Sequence, residues 1–250
     1  MSHPNDPPQA APSATSRAPD KPNYRDQHIR SFGTRRGHMT ANQRQAIEVL
    51  GPKYLIPFAE TCLNFEAVFD NPHPVTLEIG CGMGETTVAI AAANPAQNYV
   101  GLEVYPAGVG SLLALIDADQ LTNVRVISHD AVLVLQHMIA KASLAGIHVF
   151  FPDPWHKKRH HKRRLIQPAT VSLMASRLQA GGVLHCATDW VPYAEQMLEV
   201  LTAAAELENI AEHYHPRPDW RPLTKFENRG LKLGHEVRDL IFRRCHNQGR

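Results

Sequence analysis

Short apolar runs recur along the chain at 75–79, 99–104, 124–128, 147–151 and 183–187, each separated from the next by a segment long enough for a helix. Runs of this length, alternating with helix-length segments, predict a parallel α/β sheet whose strands are buried on both faces. The intervening segments agree. Ile166, Ala169 and Leu173, and later Tyr193, Met197, Val200 and Leu201, fall on one face of a 3.6-residue period and are expected in the core. Two further runs, near 207–213 and 237–243, have no helical pattern between them and are expected to pair as an antiparallel hairpin at one sheet edge. Upstream, Thr40 and Gln43 have the spacing of a capping box, opening a short helix that Gly51-Pro52 is expected to end. The chain has no internal repeat.

Composition narrows the class. With 250 residues, 43% apolar and 20% charged, the chain can bury a full core, and one catalytic domain is expected over 24–250. Residues 1–23 carry six prolines and almost no large apolar side chain, so they cannot bury enough surface to offset ordering entropy and are expected to be a disordered tail. The four cysteines, Cys62, Cys81, Cys186 and Cys245, form no CxxC pair and no zinc-like spacing; a reducing cytosol fits them, and no disulfide framework or metal site is expected. No apolar run approaches a membrane span, so a soluble, cytoplasmic protein is expected. The net charge of +2 says little, but its distribution says more. Between Tyr24 and Arg44, five arginines (Arg25, Arg30, Arg35, Arg36, Arg44) face one acid, Asp26, in a basic arm that suits either phosphates or solvent.

The first strand, Val75 to Ile79, runs into Gly80-Cys81-Gly82-Met83-Gly84, with a helix expected from about Glu85. A glycine-rich strand-to-helix turn lets a ligand approach the backbone, but dinucleotides and S-adenosylmethionine both use one. The spacing here is G-x-G-x-G rather than the G-x-G-x-x-G that seats a pyrophosphate, and Glu78 lays a carboxylate beside the turn, which suits a cationic ligand. Glu103 ends the second strand, where an acid can accept from both ribose hydroxyls of an adenosine. Asp130 follows the third strand, where it can accept from an adenine amino group. In an open α/β sheet these acids converge at the carboxyl ends of the strands. NAD would ask the same of Glu103, but the set tilts the reading toward S-adenosylmethionine as the cofactor, held by Glu78, Gly80, Gly82, Glu103 and Asp130.

The fourth strand ends in Pro152-Asp153-Pro154-Trp155, a rigid carboxylate and an aromatic ring beside the expected methyl donor. His156 to Arg164 then reads HKKRHHKRR, six fixed cations and three histidines without an acid. Charge runs are usually solvated faces; one that abuts an active-site loop can hold a polyanion by its phosphates. His156 and His160 lack a third ligand for zinc. Farther on, Asp189 closes the fifth strand and Arg221 to Glu227 introduce a polar loop. There Lys225 can meet a phosphate, while Asp189 or Glu227 can accept from the N1-H and N2-H2 edge of guanine.

At these residues the chain closely resembles the bacterial tRNA (guanine-N(7)-)-methyltransferase family. The matching stretches are LEIGCGMGE from Leu77, GLEVYPAGVG from Gly101, FFPDPWHKKRHHKRRL from Phe150, ATDW from Ala187 and RPLTKFENRGLKLGHEVRDLIF from Arg221. The resemblance implies a Rossmann-like class I methyltransferase fold: a mostly parallel seven-stranded sheet, helices on both faces and one antiparallel edge strand. It also implies methylation of guanine N7 at position 46 in the tRNA variable loop. Carried over by position, it implies cofactor contacts at Glu78, Glu103, Asp130 and Asp153, with Asp153 also catalytic. Substrate contacts fall on Lys157, Asp189, Thr224, Lys225, Phe226 and Glu227, and RNA contacts on Arg159, His160, His161, Lys162, Arg163 and Arg164. Two other readings compete: a nicotinamide dehydrogenase, which the glycine spacing opposes, and a noncatalytic RNA-binding protein, which the intact set of acids opposes. Oligomeric state stays open.

Overall fold

The computed structural model describes residues 30–33, 38–223, 227 and 236–246. The proline-rich tail, most of the basic arm including Arg25, Arg35 and Arg36, and Thr224, Lys225 and Phe226 lie outside the described residues.

Seven strands form one sheet: β1 (Val75–Ile79), β2 (Asn98–Leu102), β3 (Val124–Ile127), β4 (Leu144–Phe150), β5 (Leu178–Thr188), β6 (Leu207–Asn209) and β7 (Arg238–Arg244). Their order is β3-β2-β1-β4-β5-β7-β6, with β1 to β5 parallel and β7 antiparallel to both of its neighbours. The expected hairpin is present, and the antiparallel strand β7 is seated between β5 and the three-residue β6. Strand order reverses between β1 and β4, the position where open α/β sheets leave a crevice at their carboxyl ends.

Register assigns each strand residue to one of two faces. Leu77, Val100, Ile147, Leu184 and Phe242 share a face, packed against α5 (Ala131–His137), α6 (Pro168–Arg177) and α7 (Val191–Thr202). The opposite face carries Tyr99, Val124 and Val126, covered by α1 (Ala41–Tyr54), α3 (Glu85–Ala93) and α4 (Pro106–Ala118). A short α2 (Phe65–Phe69) buries Phe69 against the first face. Leu77, wholly buried between the layers, is a position where truncation to alanine removes about 2–5 kcal/mol.

Two expectations shift. Thr40 and Gln43 do form the reciprocal capping box, but α1 runs through Gly51-Pro52 to Tyr54. Proline removes only its own N–H from the last turn, and Leu55 N–H still donates to Gly51 at 2.8 Å. In α6 the buried residues are Val171, Met174 and Ala175, while Ala169 is exposed and Leu173 half-buried. Pro168 starts that helix at its first turn, so Ile166 is buried from the extended segment before it and does not set the helical phase. The α7 face is as expected, with Tyr193, Met197 and Leu201 buried and Val200 half-buried. No helix among the described residues is long and apolar enough to cross a membrane.

Candidate active site

The turn after β1 has left-handed backbone at three glycines: Gly80 (φ 83°), Gly82 (φ 57°) and Gly84 (φ 92°), the last capping α3. At Gly80 and Gly82 a side chain would meet nothing within 4 Å, so the turn borders open space. It is held from below, where a Cβ on Gly108 of α4 would come within 2.4 Å of the Gly82 carbonyl. Glycine at 108 is thus what lets α4 press against the turn.

Glu103 ties these pieces together. Its Oε2 accepts from Gly82 N–H at 2.7 Å and its Oε1 from Tyr105 N–H at 2.8 Å, joining the turn to the start of α4. A carboxylate has about four lone-pair sites, so both oxygens keep acceptor capacity for a ligand's hydroxyls. Burial, opposed by backbone hydrogen bonds and assisted by the nearby Asp153 charge, raises the Glu103 pKa. Glu78 lies deeper. It is buried in β1, its Oε2 has no hydrogen-bond partner, and burial, slightly offset by Thr87, pushes its pKa up to about 7. Cys81, between them in the turn, is raised by burial and by the fields of both Glu78 and Glu103. Three carboxylates, Glu78, Glu103 and Asp153, therefore act on the region of one glycine turn. A pyrophosphate would be repelled there; a sulfonium or ammonium cation would satisfy the unpaired Glu78 oxygen.

Asp130 sits at the adjoining strand end as the N-cap of α5, its Oδ1 accepting from Val132 and Leu133 N–H at 2.9 and 3.2 Å. Beside it His129 stacks on Phe58, with ring centroids 3.9 Å apart.

The turn after β4 is strained at both ends. Phe151 (φ 51°) and Trp155 (φ 44°) occupy the left-handed region, costly for bulky residues, and Pro152 and Pro154 stiffen the chain between them. Strain of about 1–3 kcal/mol per residue persists only where surrounding contacts fix it. Phe151 N–H donates to Ala187 at 2.8 Å, Arg164 Nε to the Pro154 carbonyl at 2.9 Å, and Trp155 Nε1 to the Ser31 carbonyl at 2.9 Å. Asp153, half-buried, is held between these anchors. Asp189 follows β5, the strand adjacent to β4, and so reaches the same rim.

The basic run folds into a 3-10 segment, Lys158–Arg163, with Lys157, Arg159 and Lys162 exposed and His160, His161 and Arg163 half-buried. Partial desolvation and the cations Arg159, Arg163, Lys157 and Lys162 lower the His160 pKa. Arg163 lies over the Trp155 ring, 4.6 Å from its centroid. Arg164 departs from the expectation of an RNA contact. It is buried, its guanidinium spent on the Pro154 carbonyl, Gln196 and His161, and it lies over the Tyr193 ring. Glu227 departs likewise. Both of its oxygens accept from Arg221 at 2.8 and 2.9 Å inside the protein, which is incompatible with an open guanine edge in this conformation.

Sequence reasoning passed over a polar cluster at β4, β5 and β7: the buried His148, His185, Arg221 and Asp239, with the exposed Trp220 ring stacked on His148. The available signal was charged and imidazole side chains at core positions of β4, β5 and β7. Among the described residues no group of three His, Cys, Asp or Glu side chains is arranged to hold a metal ion.

Comparison with known proteins agrees with this geometry. Residues 72–240 match a family model described as "Putative methyltransferase". The 16S rRNA methyltransferase KamB superposes with a TM-score of 0.56 at 18% identity over 73% of this chain and 93% of its own. The antibiotic-resistance methyltransferase Kmr superposes with a TM-score of 0.52 at 15% identity, covering 77% and 96%; both likenesses establish the class I methyltransferase fold. A tRNA (guanine-N(7)-)-methyltransferase of Burkholderia vietnamiensis is 59% identical over 86% of this chain and 85% of its own. The Bordetella pertussis protein of that name is 57% identical over 95% and 92%. A glycine turn ringed by carboxylates, a strained PDPW turn and a basic segment beyond it thus occur in a chain that belongs to the tRNA (guanine-N(7)-)-methyltransferase family.

Proposed function

We propose that the protein transfers a methyl group from S-adenosylmethionine to N7 of guanine 46 in the variable loop of tRNA. The observation that carries this reading is the convergence of Glu78, Glu103 and Asp153 on an open glycine turn, with a run of exposed cations directly beyond it. Glu103 and the Gly80–Gly82 backbone would hold the ribose and methionine portions, Glu78 the cationic end, and Asp130 the adenine side. The bound donor supplies an electrophilic methyl group on a sulfonium.

Guanine N7 carries a free lone pair, so the protein has no proton to remove before attack. Its task is to align N7 with the methyl group and to compensate the positive charge that grows on the purine. Asp153, fixed between two prolines, is the group for that task. Asp189 on the neighbouring strand end and Lys157 flank it, and Thr224, Lys225 and Phe226 are proposed to join them. Lys157, Arg159 and Lys162 reach solvent where tRNA phosphates would lie, with the half-buried His160, His161 and Arg163 among them. Incubation with labelled S-adenosylmethionine and a tRNA transcript, followed by chemical cleavage at 7-methylguanosine, tests the reading. Label is expected at position 46 and absent from a transcript with adenine there; label elsewhere would overturn the position, and no label in tRNA would overturn the reading.

A further inference from the structure

Arg221 has no solvent exposure, and its guanidinium makes two forks. Nε and one terminal nitrogen donate to the two oxygens of Asp239, both at 2.8 Å, and the terminal nitrogens donate to the two oxygens of Glu227 at 2.8 and 2.9 Å. Asp239 also meets His185 Nε2 at 2.6 Å. Burial works against the charge of Asp239, but the His185 bond and the Arg221 fork outweigh it and hold its carboxyl below the usual range. Phe150, Ala187 and Asp239 form one row across β4, β5 and β7. The guanidinium carbon lies 5.9 Å from the ring centroids of both Phe150 and Phe151.

A buried ion network is weak as a source of stability, because desolvating the charges offsets most of their attraction and apolar residues of equal volume often serve as well. What the network does supply is direction. A planar cation with two bidentate partners admits one orientation, and its carbon lies over the ring of Phe151, 5.9 Å from the centroid, at the strained residue that begins the Pro152-Asp153-Pro154 turn. Glu227 and Asp153 thus take their places from the same guanidinium, one through a fork and the other through Phe150 and Phe151.

We propose that Arg221 is a positioning residue for methyl transfer, setting the PDP turn and the Glu227 carboxylate in a common register. The proposal rests on the reading of the site as a guanine-N7 methyltransferase. Its effect belongs to the chemical step, because the glycine turn that binds the donor and the exposed cations that meet RNA lie outside the network.

The test is single-turnover methylation of tRNA at saturating donor, with separate titrations of donor and tRNA binding. Arg221→Lys keeps the charge but loses both forks, and is expected to lower the rate by about a hundredfold, the scale of a small misplacement of reacting groups. Both dissociation constants should stay within about twofold, since those surfaces are not touched. In Arg221→Ala, added methylguanidinium should recover at least about tenfold of the rate by refilling the site. A full rate in Arg221→Lys, or a loss confined to donor or tRNA affinity, overturns the proposal. If both Arg221 variants fail to fold, Asp239→Asn, which keeps one acceptor oxygen and the Glu227 fork, replaces them; it should lose rate with affinities unchanged, and a wild-type rate there overturns the proposal. Wild type run alongside separates the two claims: failure to form 7-methylguanosine would remove the underlying reading and this proposal with it, whereas normal wild-type product with a normal Arg221→Lys rate removes the proposal alone.

Discussion

The indole N–H of Trp155 donates to the backbone carbonyl of Ser31 at 2.9 Å, joining residues 124 positions apart. A Cβ placed on Gly33 would lie 3.9 Å from the same ring, and Arg163 covers it. Trp155 therefore does not lie as an open stacking surface for the base; it holds the end of the basic arm against the segment that carries the cations. Trp155→Phe preserves ring and cation contact but deletes the donor, leaving the Ser31 carbonyl without it. Trypsin should cleave at Arg30 faster in the variant, and tRNA affinity should fall by about two- to twelvefold, the worth of one hydrogen bond of about 0.5–1.5 kcal/mol, with donor affinity unchanged. Equal cleavage rates would show that the arm is held by other contacts.

Glu78 gives a pH signature. Its pKa in the folded protein is pushed up to about 7, above the ordinary 4.5, so between those values the folded state holds a proton that the unfolded chain releases. Stability from this group is accordingly full below pH 4.5 and is lost as pH rises toward 7. The ligand-free protein should lose about 3 kcal/mol of this contribution by pH 8, since each tenfold difference in proton affinity between the folded and unfolded states is worth about 1.4 kcal/mol. His148, held near 3 by burial and by His185, acts with the opposite sign over its own window, losing stability as pH falls from 6.5 toward 3. Denaturant titrations of wild type and Glu78→Gln at pH 5 and 8 isolate the first effect, the variant gaining relative to wild type at pH 8. A cationic donor prefers the ionised acid, so donor affinity of wild type should rise about tenfold from pH 6 to 8 and do so less in the variant. A pH-independent difference between the two proteins would exclude the buried, proton-binding Glu78.

The two kinds of arginine in the basic run should separate cleanly. Arg159→Ala with Lys162→Ala removes two exposed cations and should reduce the slope of log affinity against log salt by about 1.4 to 1.8, according to single- or double-stranded character of the contacted RNA. Stability should hardly change. Arg164→Ala should instead lower stability by about 2–3 kcal/mol, because it strips a charged donor from the Pro154 carbonyl and from Gln196, with a salt slope close to wild type. Steeply salt-dependent binding that survives the first pair would assign those residues to a solvated face.

What could be read from the sequence follows from the range of the forces involved. The strands, the glycine turn, the α1 cap and the α7 face depend on residues a few positions apart, so periodicity and spacing exposed them. Arg164 looked like its neighbours because its inward partners, Gln196 and Tyr193, lie some thirty positions away. Glu227 was read as a guanine acceptor for the same reason: its partner Arg221 is close in sequence, but burial of the pair depends on Asp239 in the last strand. Glu103 had one role visible, toward a ligand, and a second, bracing Gly82 and Tyr105, that only the fold displays. The strain at Phe151 and Trp155 has no signature except the prolines between them.

Asp153 bears the most direct prediction. Asp153→Asn keeps size and one acceptor oxygen while removing the charge and adding an N–H2 group. The variant cannot compensate the cation forming on the guanine ring. Loss should therefore fall on the chemical step, with turnover down by about a hundred- to a thousandfold, the scale seen when one group opposing transition-state charge is removed. Because the Asp153 charge also raises the Glu103 pKa, donor affinity should change slightly, in the direction of a less crowded acidic cluster, and tRNA affinity should persist. N7 needs no deprotonation, so once donor and tRNA saturate, the wild-type rate should show no limb near neutrality that the substitution abolishes. Single-turnover rates of both proteins from pH 6 to 9 examine the two claims together. Near-wild-type turnover in Asp153→Asn would take the residue out of the transition state, while a pH limb present only in wild type would mean that Asp153 moves a proton instead of opposing a charge.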